Sequence, residues 1–309
     1  MVIKKIMNMQ NNYSNRVIIF GEILFDIFEK REMLGGAPFN VAKHLNGFGL
    51  EPIIISRIGN DKRGKTILRK MKSWNMETSG IQIDDEYQTG IVNVKIIDGE
   101  PKFQTLTDLA YDHIEFDEYF LDKFIDENNI LYHGLLALRG KISRKAFFKI
   151  RERLNSKIFF DVNLRGHWWN EELVTNCLNN AIWLKLNEYE LSDIQKDENR
   201  DLTEKAKMIS KKYNLDKTII TKGKEGAFIL NRENEVFRSK IKKIKVVDTV
   251  GAGDAFSAVV ILGIIKKWNE IEIIKRAAEF ASAMCEVQGA IFKNTNIYNK
   301  FLWKWKKNS

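Results

Sequence analysis

Two chemistries share the stretch Asp248-Thr249-Val250-Gly251-Ala252-Gly253-Asp254. Gly251 and Gly253, on either side of Ala252, let the backbone turn tightly and bring bare N–H groups against a ligand. The apolar run from Ala255 to Ile265 behind them reads as a buried helix. Amides of a first helical turn lack intrahelical acceptors and carry the positive end of the helix dipole, so Gly251, Ala252 and Gly253 read as an anion site. Asp254 beside them has two readings. It stabilises its own helix as a first-turn carboxylate, or it takes the proton from a hydroxyl that attacks a phosphate held on those amides.

A hydroxyl substrate needs polar groups elsewhere, and the chain offers several. Val17 to Phe25 is an apolar run that leads into Asp26, which places this carboxylate at or just beyond the end of a buried strand, where open α/β sheets bind ligands. A solvated loop carboxylate is the alternative. Gly35-Gly36-Ala37-Pro38-Phe39-Asn40 reads as a loop entering a helix that ends at Gly47 or Gly49. Its glycines permit close approach, and Asn40 offers a donor and an acceptor suited to a sugar hydroxyl. Tyr111 is either a packing residue or an aromatic wall. One motif competes: Gly59-Asn60-Asp61-Lys62-Arg63-Gly64-Lys65-Thr66 matches the phosphate-loop pattern GxxxxGK[ST] letter for letter, with Asp161 as a magnesium-binding partner in that reading.

The elements that must position these groups alternate. Strands are expected at Ile53–Ile58, Ile130–Gly134, Ile158–Asn163, Ala181–Asn187 and Lys217–Gly223, separated by helical patterns, which makes a mostly parallel sheet with helices on its faces. Three strands lead into polar or glycine positions, namely Asp161 with Arg165, Asn187 with Glu190, and Thr221 with Gly223. Thr89 to Phe103 instead alternates apolar and polar residues around an Asp98-Gly99 turn, as an antiparallel hairpin would, and serves as a lid or a dimer contact. A second hairpin turns between Asn231 and Glu235, helices are expected over Thr66–Trp74 and Glu272–Val287, and the aromatic face of the tail Phe301–Lys307 is expected to dock on the body.

With 309 residues and 44% apolar content, the chain can bury one large α/β core or two modest domains. The formal charge of +9 comes from scattered lysines without a recognition motif, so no nucleic-acid partner is expected. Cys177 and Cys285 stand alone and His44, His113, His133 and His167 lack ligand spacing, which excludes a disulfide framework and a zinc site. No apolar run reaches membrane-span length and no leader pattern precedes the first strand, so no membrane partner and a cytoplasmic location are expected.

Gly35-Gly36-Ala37-Pro38-Phe39-Asn40-Val41-Ala42 and Asp248–Phe256, in this order and this far apart, resemble the PfkB (ribokinase-like) family of carbohydrate kinases. Gly21–Asp26, Ala110–Ile114, Leu131–Gly134, Asp161–Arg165 with Trp168-Trp169, and Lys185–Asn187 look most like bacterial fructokinases. The resemblance implies an α/β, ribokinase-like fold: a mostly parallel central sheet flanked by helices, with a small β lid. It implies one kinase domain over 14–303 with lid segments at about 25–36 and 88–112, an N-terminal extension 1–13 and a tail 304–309. It implies transfer of the ATP γ-phosphoryl group to a sugar hydroxyl, for fructose the 6-hydroxyl, with Mg²⁺. Asp254 then matches the base, and Gly251, Ala252 and Gly253 the anion hole. Asp26, Gly35, Gly36 and Asn40 match sugar-binding positions, with Tyr111 and Arg165 as additions. Asn187 and Glu190 match an NxxE element that organises Mg²⁺ and phosphates, Glu190 acting on the metal indirectly. Thr221, Gly223 and Gly226 match nucleotide contacts, and the backbone at Asp248 and Thr249 resembles a monovalent-cation site suited to K⁺. The lid hairpin implies a homodimer. Val250 departs from a threonine common in the family, and Gly59–Gly64 falls on a structural turn. Kinases for 2-keto-3-deoxygluconate, tagatose or ribose, a phosphate-loop NTPase, and a sugar-sensing protein without catalysis are the alternatives.

Overall fold

The computed structural model describes residues 16–29, 31–97, 100–166, 168–240 and 244–307. The expected N-terminal extension, the Asp98-Gly99 turn and His167 lie outside the described residues. The strands are β1 (Val17–Phe20), β2 (Leu24–Phe28), β3 (Arg31–Gly35), β4 (Ile53–Gly59), β5 (Ile81–Asp84), β6 (Gly90–Ile97), β7 (Glu100–Thr105), β8 (Ile130–His133), β9 (Lys157–Asp161), β10 (Trp183–Asn187), β11 (Lys217–Thr221), β12 (Ala227–Asn231) and β13 (Val236–Ser239). Their orders are β13-β12-β11-β10-β9-β8-β1-β4-β5 in a nine-stranded sheet and β3-β2-β6-β7 in a four-stranded one. Two compact units emerge, one of Met1–Gly36, Glu51–His133 and Ala137–Ile158, the other of Ala37–Leu50, Gly134–Leu136 and Phe159–Ser309.

In the first unit β1 is buried at every position and pairs in parallel with β4 and β8, as its β-branched run dictates. The run from Val17 to Asp26 is not one strand, however. The ladder ends where the Gly21 amide meets the Ile55 carbonyl at 3.2 Å, and the chain then enters β2 of the small sheet. Asp26 therefore sits inside a strand, opposite Met33, and not at a strand end. Gly21 and the carboxylate Glu22 mark the break in the sequence, but Glu22 and Ile23 are both buried and the apolar run resumes at once. The hairpin expected from Thr89 is β6 and β7, antiparallel with Val94 opposite Phe103.

The second unit carries β9, β10 and β11 in parallel, with β12 and β13 added antiparallel as the second hairpin. Its helix Ala252–Ile265 is buried from Ala255 through Gly263, which explains why its apolar residues show no one-sided stripe. Helix Glu270–Cys285 begins two residues ahead of the expected Glu272 because Asn269 and Glu272 form a capping box. Helix Asn296–Lys307 buries Tyr298 and Trp305 against Phe48 and Phe280, while Trp303 stays 63% exposed. Among the described residues no helix is long and apolar enough to cross a membrane.

Candidate active site

Gly251 opens helix Ala252–Ile265 at φ +78°, and a Cβ there would stand 2.4 Å from that of Ala290, so only glycine fits. No side chain caps this helix. The Ala252 amide donates to the Thr249 carbonyl at 3.3 Å, and the Gly253 and Asp254 amides meet no acceptor among the described residues. The turn is held from below. Asp248 accepts from the Val250 amide and the Gly289 amide, both at 3.0 Å, which ties the turn to the segment carrying Ala290. His44, in helix Ala37–Gly47, joins the Ala290 carbonyl at 3.1 Å and the Tyr298 hydroxyl at 3.0 Å. Burial holds that imidazole neutral, with its pKa lowered to about 3.

Asp254 is not spent on its own helix. Asn40 donates Nδ2 to Asp254 Oδ2 at 2.7 Å, across 214 residues of sequence, and Asn40 Oδ1 is buried without a partner among the described residues. The carboxyl group is enclosed although the residue keeps some solvent contact, and this desolvation pushes its pKa up to about 6 against the opposing pull of Asn40 and Lys185. A carboxylate tuned to that range, at an uncapped helix start, is equipped for proton abstraction near neutral pH.

Beside this helix start lies a cavity of about 720 Å³. Asn187, Thr221, Gly223, Gly226, Thr249, Ala252 and Gly253 all face it. Asn187 also caps helix Glu188–Ile194: its Oδ1 accepts from the Tyr189 and Glu190 amides, each at 2.9 Å. Glu190 returns the bond to the Asn187 amide at 2.7 Å and takes the Leu164 amide at 3.0 Å. NxxE is thus a capping box here, and burial raises the Glu190 pKa despite nearby Lys185. Arg165 is exposed and acts electrostatically on Asp254.

Asp26, Gly35, Gly36 and Tyr111 belong to the first unit. Asp26 Oδ2 lies 3.2 Å from where a Gly35 Cβ would be, and Gly36 packs on the Glu22 carbonyl, so three of the expected sugar contacts converge. Tyr111 is fully buried, its ring against Gly90 and under the Arg139 guanidinium, 5.0 Å from the ring centre. The phosphate-loop match has a different fate. Its helix, Lys62–Ser73, starts before the expected Thr66 because Asp61 caps it, accepting from the Gly64 amide at 2.8 Å and from the Thr89 amide and hydroxyl, each at 2.8 Å. That carboxylate fills the place a phosphate would take, and Lys65 points to solvent.

The sequence matches the pfkB family of carbohydrate kinases over residues 1–297. The chain belongs to that family. An uncharacterized sugar kinase from Pyrococcus horikoshii is 32% identical over 248 residues, covering 78% of this chain and 75% of the relative. Its structure with ATP superposes with a TM-score of 0.76 at 26% identity, covering 89% of this chain and 93% of the other. The fructokinase of Salmonella typhimurium is 27% identical over 257 residues, covering 79% and 82%. A Vibrio cholerae fructokinase with fructose, ADP and calcium bound shares the fold, with a TM-score of 0.79 at 20% identity over 94% and 99% of the two chains.

Two parts of this PfkB kinase's cavity and its surroundings escaped the sequence. Phe256, Ala278, Ala281 and Cys285, which read in the sequence as parts of two ordinary helices, form with Val246 an apolar wall of the cavity. Lys185 and Asp161 form a buried ion pair at 2.9 Å, with Ser257 donating to Asp161 at 2.6 Å. A lysine inside Trp183-Leu184-Lys185-Leu186 was the available signal, since a buried strand has no other use for a charge.

Proposed function

We propose that this PfkB kinase uses ATP and phosphorylates the 6-hydroxyl of fructose. The observation that carries the chemistry is the carboxylate of Asp254, held by Asn40 at 2.7 Å beside an uncapped helix start. The sugar hydroxyl approaches Asp254 and gives up its proton as it attacks the γ-phosphorus; the phosphoryl group passes to the sugar oxygen and ADP leaves with the bridging oxygen's electrons. Amides at Gly251, Ala252 and Gly253 receive the developing charge. Asn40 keeps a free acceptor for a sugar hydroxyl, and Asp26, Gly35, Gly36 and Arg165 are the further sugar contacts in this reading, while the fully buried Tyr111 serves packing.

ATP occupies the cavity of about 720 Å³, its base along the apolar wall and its phosphates toward Thr221, Gly223, Gly226 and Asn187. The donors suit Mg²⁺: each Glu190 oxygen receives one backbone amide and keeps a lone pair for a metal-bound water. The metal supplies charge neutralisation on the phosphates. Asp248 spends its carboxylate on two amides, so a K⁺ site there uses the main-chain carbonyls of Asp248 and Thr249. The single kinase domain over 14–303, a homodimer through the lid and a cytoplasmic location complete the proposal.

Fructose is supported by the fructokinase relative from Salmonella typhimurium and by the fructokinase-like segments. ADP release with MgATP across fructose, tagatose, ribose and 2-keto-3-deoxygluconate tests it: fructose gives the highest kcat/KM, and preference for another sugar overturns the substrate while leaving the chemistry.

A further inference from the structure

Lys185 and Asp161 face each other in direct register across β10 and β9. Lys185 Nζ donates to Asp161 Oδ1 at 2.9 Å and Oδ2 at 3.1 Å. The Ser257 hydroxyl lies 2.6 Å from Asp161 Oδ2 and 3.1 Å from the Gly253 carbonyl; its one proton goes to the charged, shorter acceptor. Lys185 Nζ also stands 3.3 Å from where a Gly253 Cβ would be. All three side chains are buried, and Ser257 completely so. An ion pair at this depth costs about as much in lost hydration as it returns, and an apolar pair would serve the core equally well. Packing therefore does not account for it, whereas its position does: Lys185 lies against Gly253, the last residue of the proposed anion site before Asp254, and Ser257 anchors the same helix one turn further on.

We propose that Lys185, acting through Asp161 and Ser257, is a positioning residue for phosphoryl transfer: it fixes the first turn of helix Ala252–Ile265 and supplies the balancing charge behind Asp254. The inference rests on Asp254 being the base. Asp254 is acted on by Lys185 and Asp161 from the two strands, by Arg165 from the loop after β9 and by the neutral Asn40 from helix Ala37–Gly47, while Glu190 acts on Lys185. Burial alone would lower the Lys185 pKa, but Asp161 and Glu190 hold it above its ordinary value, so the residue is a fixed cation.

Removing either partner therefore disturbs Asp254 in opposite senses. Lys185→Met leaves an uncompensated carboxylate, which keeps the proton on Asp254 and moves the acid limb of kcat/KM to higher pH by about one unit. Asp161→Asn leaves an uncompensated ammonium and moves the limb to lower pH by about the same amount. Lys185→Arg keeps the charge and the double variant K185M/D161N removes both, so in each the acid limb stays at the pH of the unmodified enzyme, while kcat falls in the double variant because the first turn is no longer held. A purely structural role lowers kcat in each variant without opposite shifts.

The experiment measures kcat/KM against pH for the best sugar and, in parallel, follows the Asp254 carboxyl by carbon-13 NMR, which needs no turnover. Shifts that are absent or share one direction in folded variants overturn the proposal. If K185M does not fold, D161N must still shift downward while K185R does not, and any other pattern overturns it. Failure of the unmodified chain to phosphorylate any sugar defeats the kinase chemistry instead, and the NMR titration then decides the role of Lys185 by itself.

Discussion

Helix Lys62–Ser73 and helix Ala252–Ile265 each follow a glycine-bearing turn, and they treat their first turns in opposite ways. The first has the letters of a phosphate loop, but Asp61 accepts the Gly64 amide and is fixed there by Thr89, so its positive end is already satisfied. Gly64 serves packing, since a Cβ there would meet the Gly59 carbonyl at 2.0 Å. The second lacks a side-chain cap, and its first-turn carboxylate is drawn aside to Asn40. On the proposed reading, an anion site is made by an uncapped helix start and not by the number of glycines and lysines around it. A residue outside the motif's required letters, Asp61, decides the matter.

The strongest way to break this contrast is Asp254→Asn, which should lower kcat by about 100- to 10,000-fold while ATP still binds, as titration calorimetry would show. Retained turnover would remove the base. Gly251→Ala comes next: strain at φ +78° and the collision with Ala290 should displace the anion site and cost on the order of 100-fold in kcat, with a lower melting temperature. Asp61→Ala sharpens the contrast from the other side, destabilising the fold by about 1 to 2 kcal/mol in denaturant titration and leaving kcat unchanged. Hydrogen bonds hold the Asp61 pKa below 3.8 despite burial, so its stabilisation is complete above that pH and fades as pH falls through the lowered value. Lys65→Ala should be nearly silent, within about twofold in kcat/KM and about 0.5 kcal/mol in stability. A large loss there would revive the phosphate-loop reading.

Periodicity carried most of the fold. The alternating run after Thr89 became β6 and β7, and the apolar runs ending near Asp161, Asn187 and Thr221 became β9, β10 and β11, because burial on one or both faces writes itself into residue order. The break after Phe20 falls on Gly21-Glu22, a glycine and a carboxylate, but the apolar residues on both sides made one continuous strand the simpler reading. Helix starts were misjudged at Thr66 and Glu272, where Asp61 and Asn269 lie ahead of the apolar pattern. At the site, glycines and carboxylates at turns stood out singly. The contact of Asn40 with Asp254 and the pairing of Lys185 with Asp161 depend on tertiary approach across 214 and 24 residues, which local pattern does not encode.

The clamp beneath Gly251 also sets an order of events during synthesis. Asp248 needs the Gly289 amide, Gly251 needs Ala290, and His44 needs Tyr298. Each partner leaves the ribosome after the residue it secures, so the turn at Gly251 is made some time before the contacts that hold it. The support of the Gly251 turn is thereby coupled to helix Asn296–Lys307, and a product truncated ahead of Tyr298 would leave His44 without its hydroxyl partner.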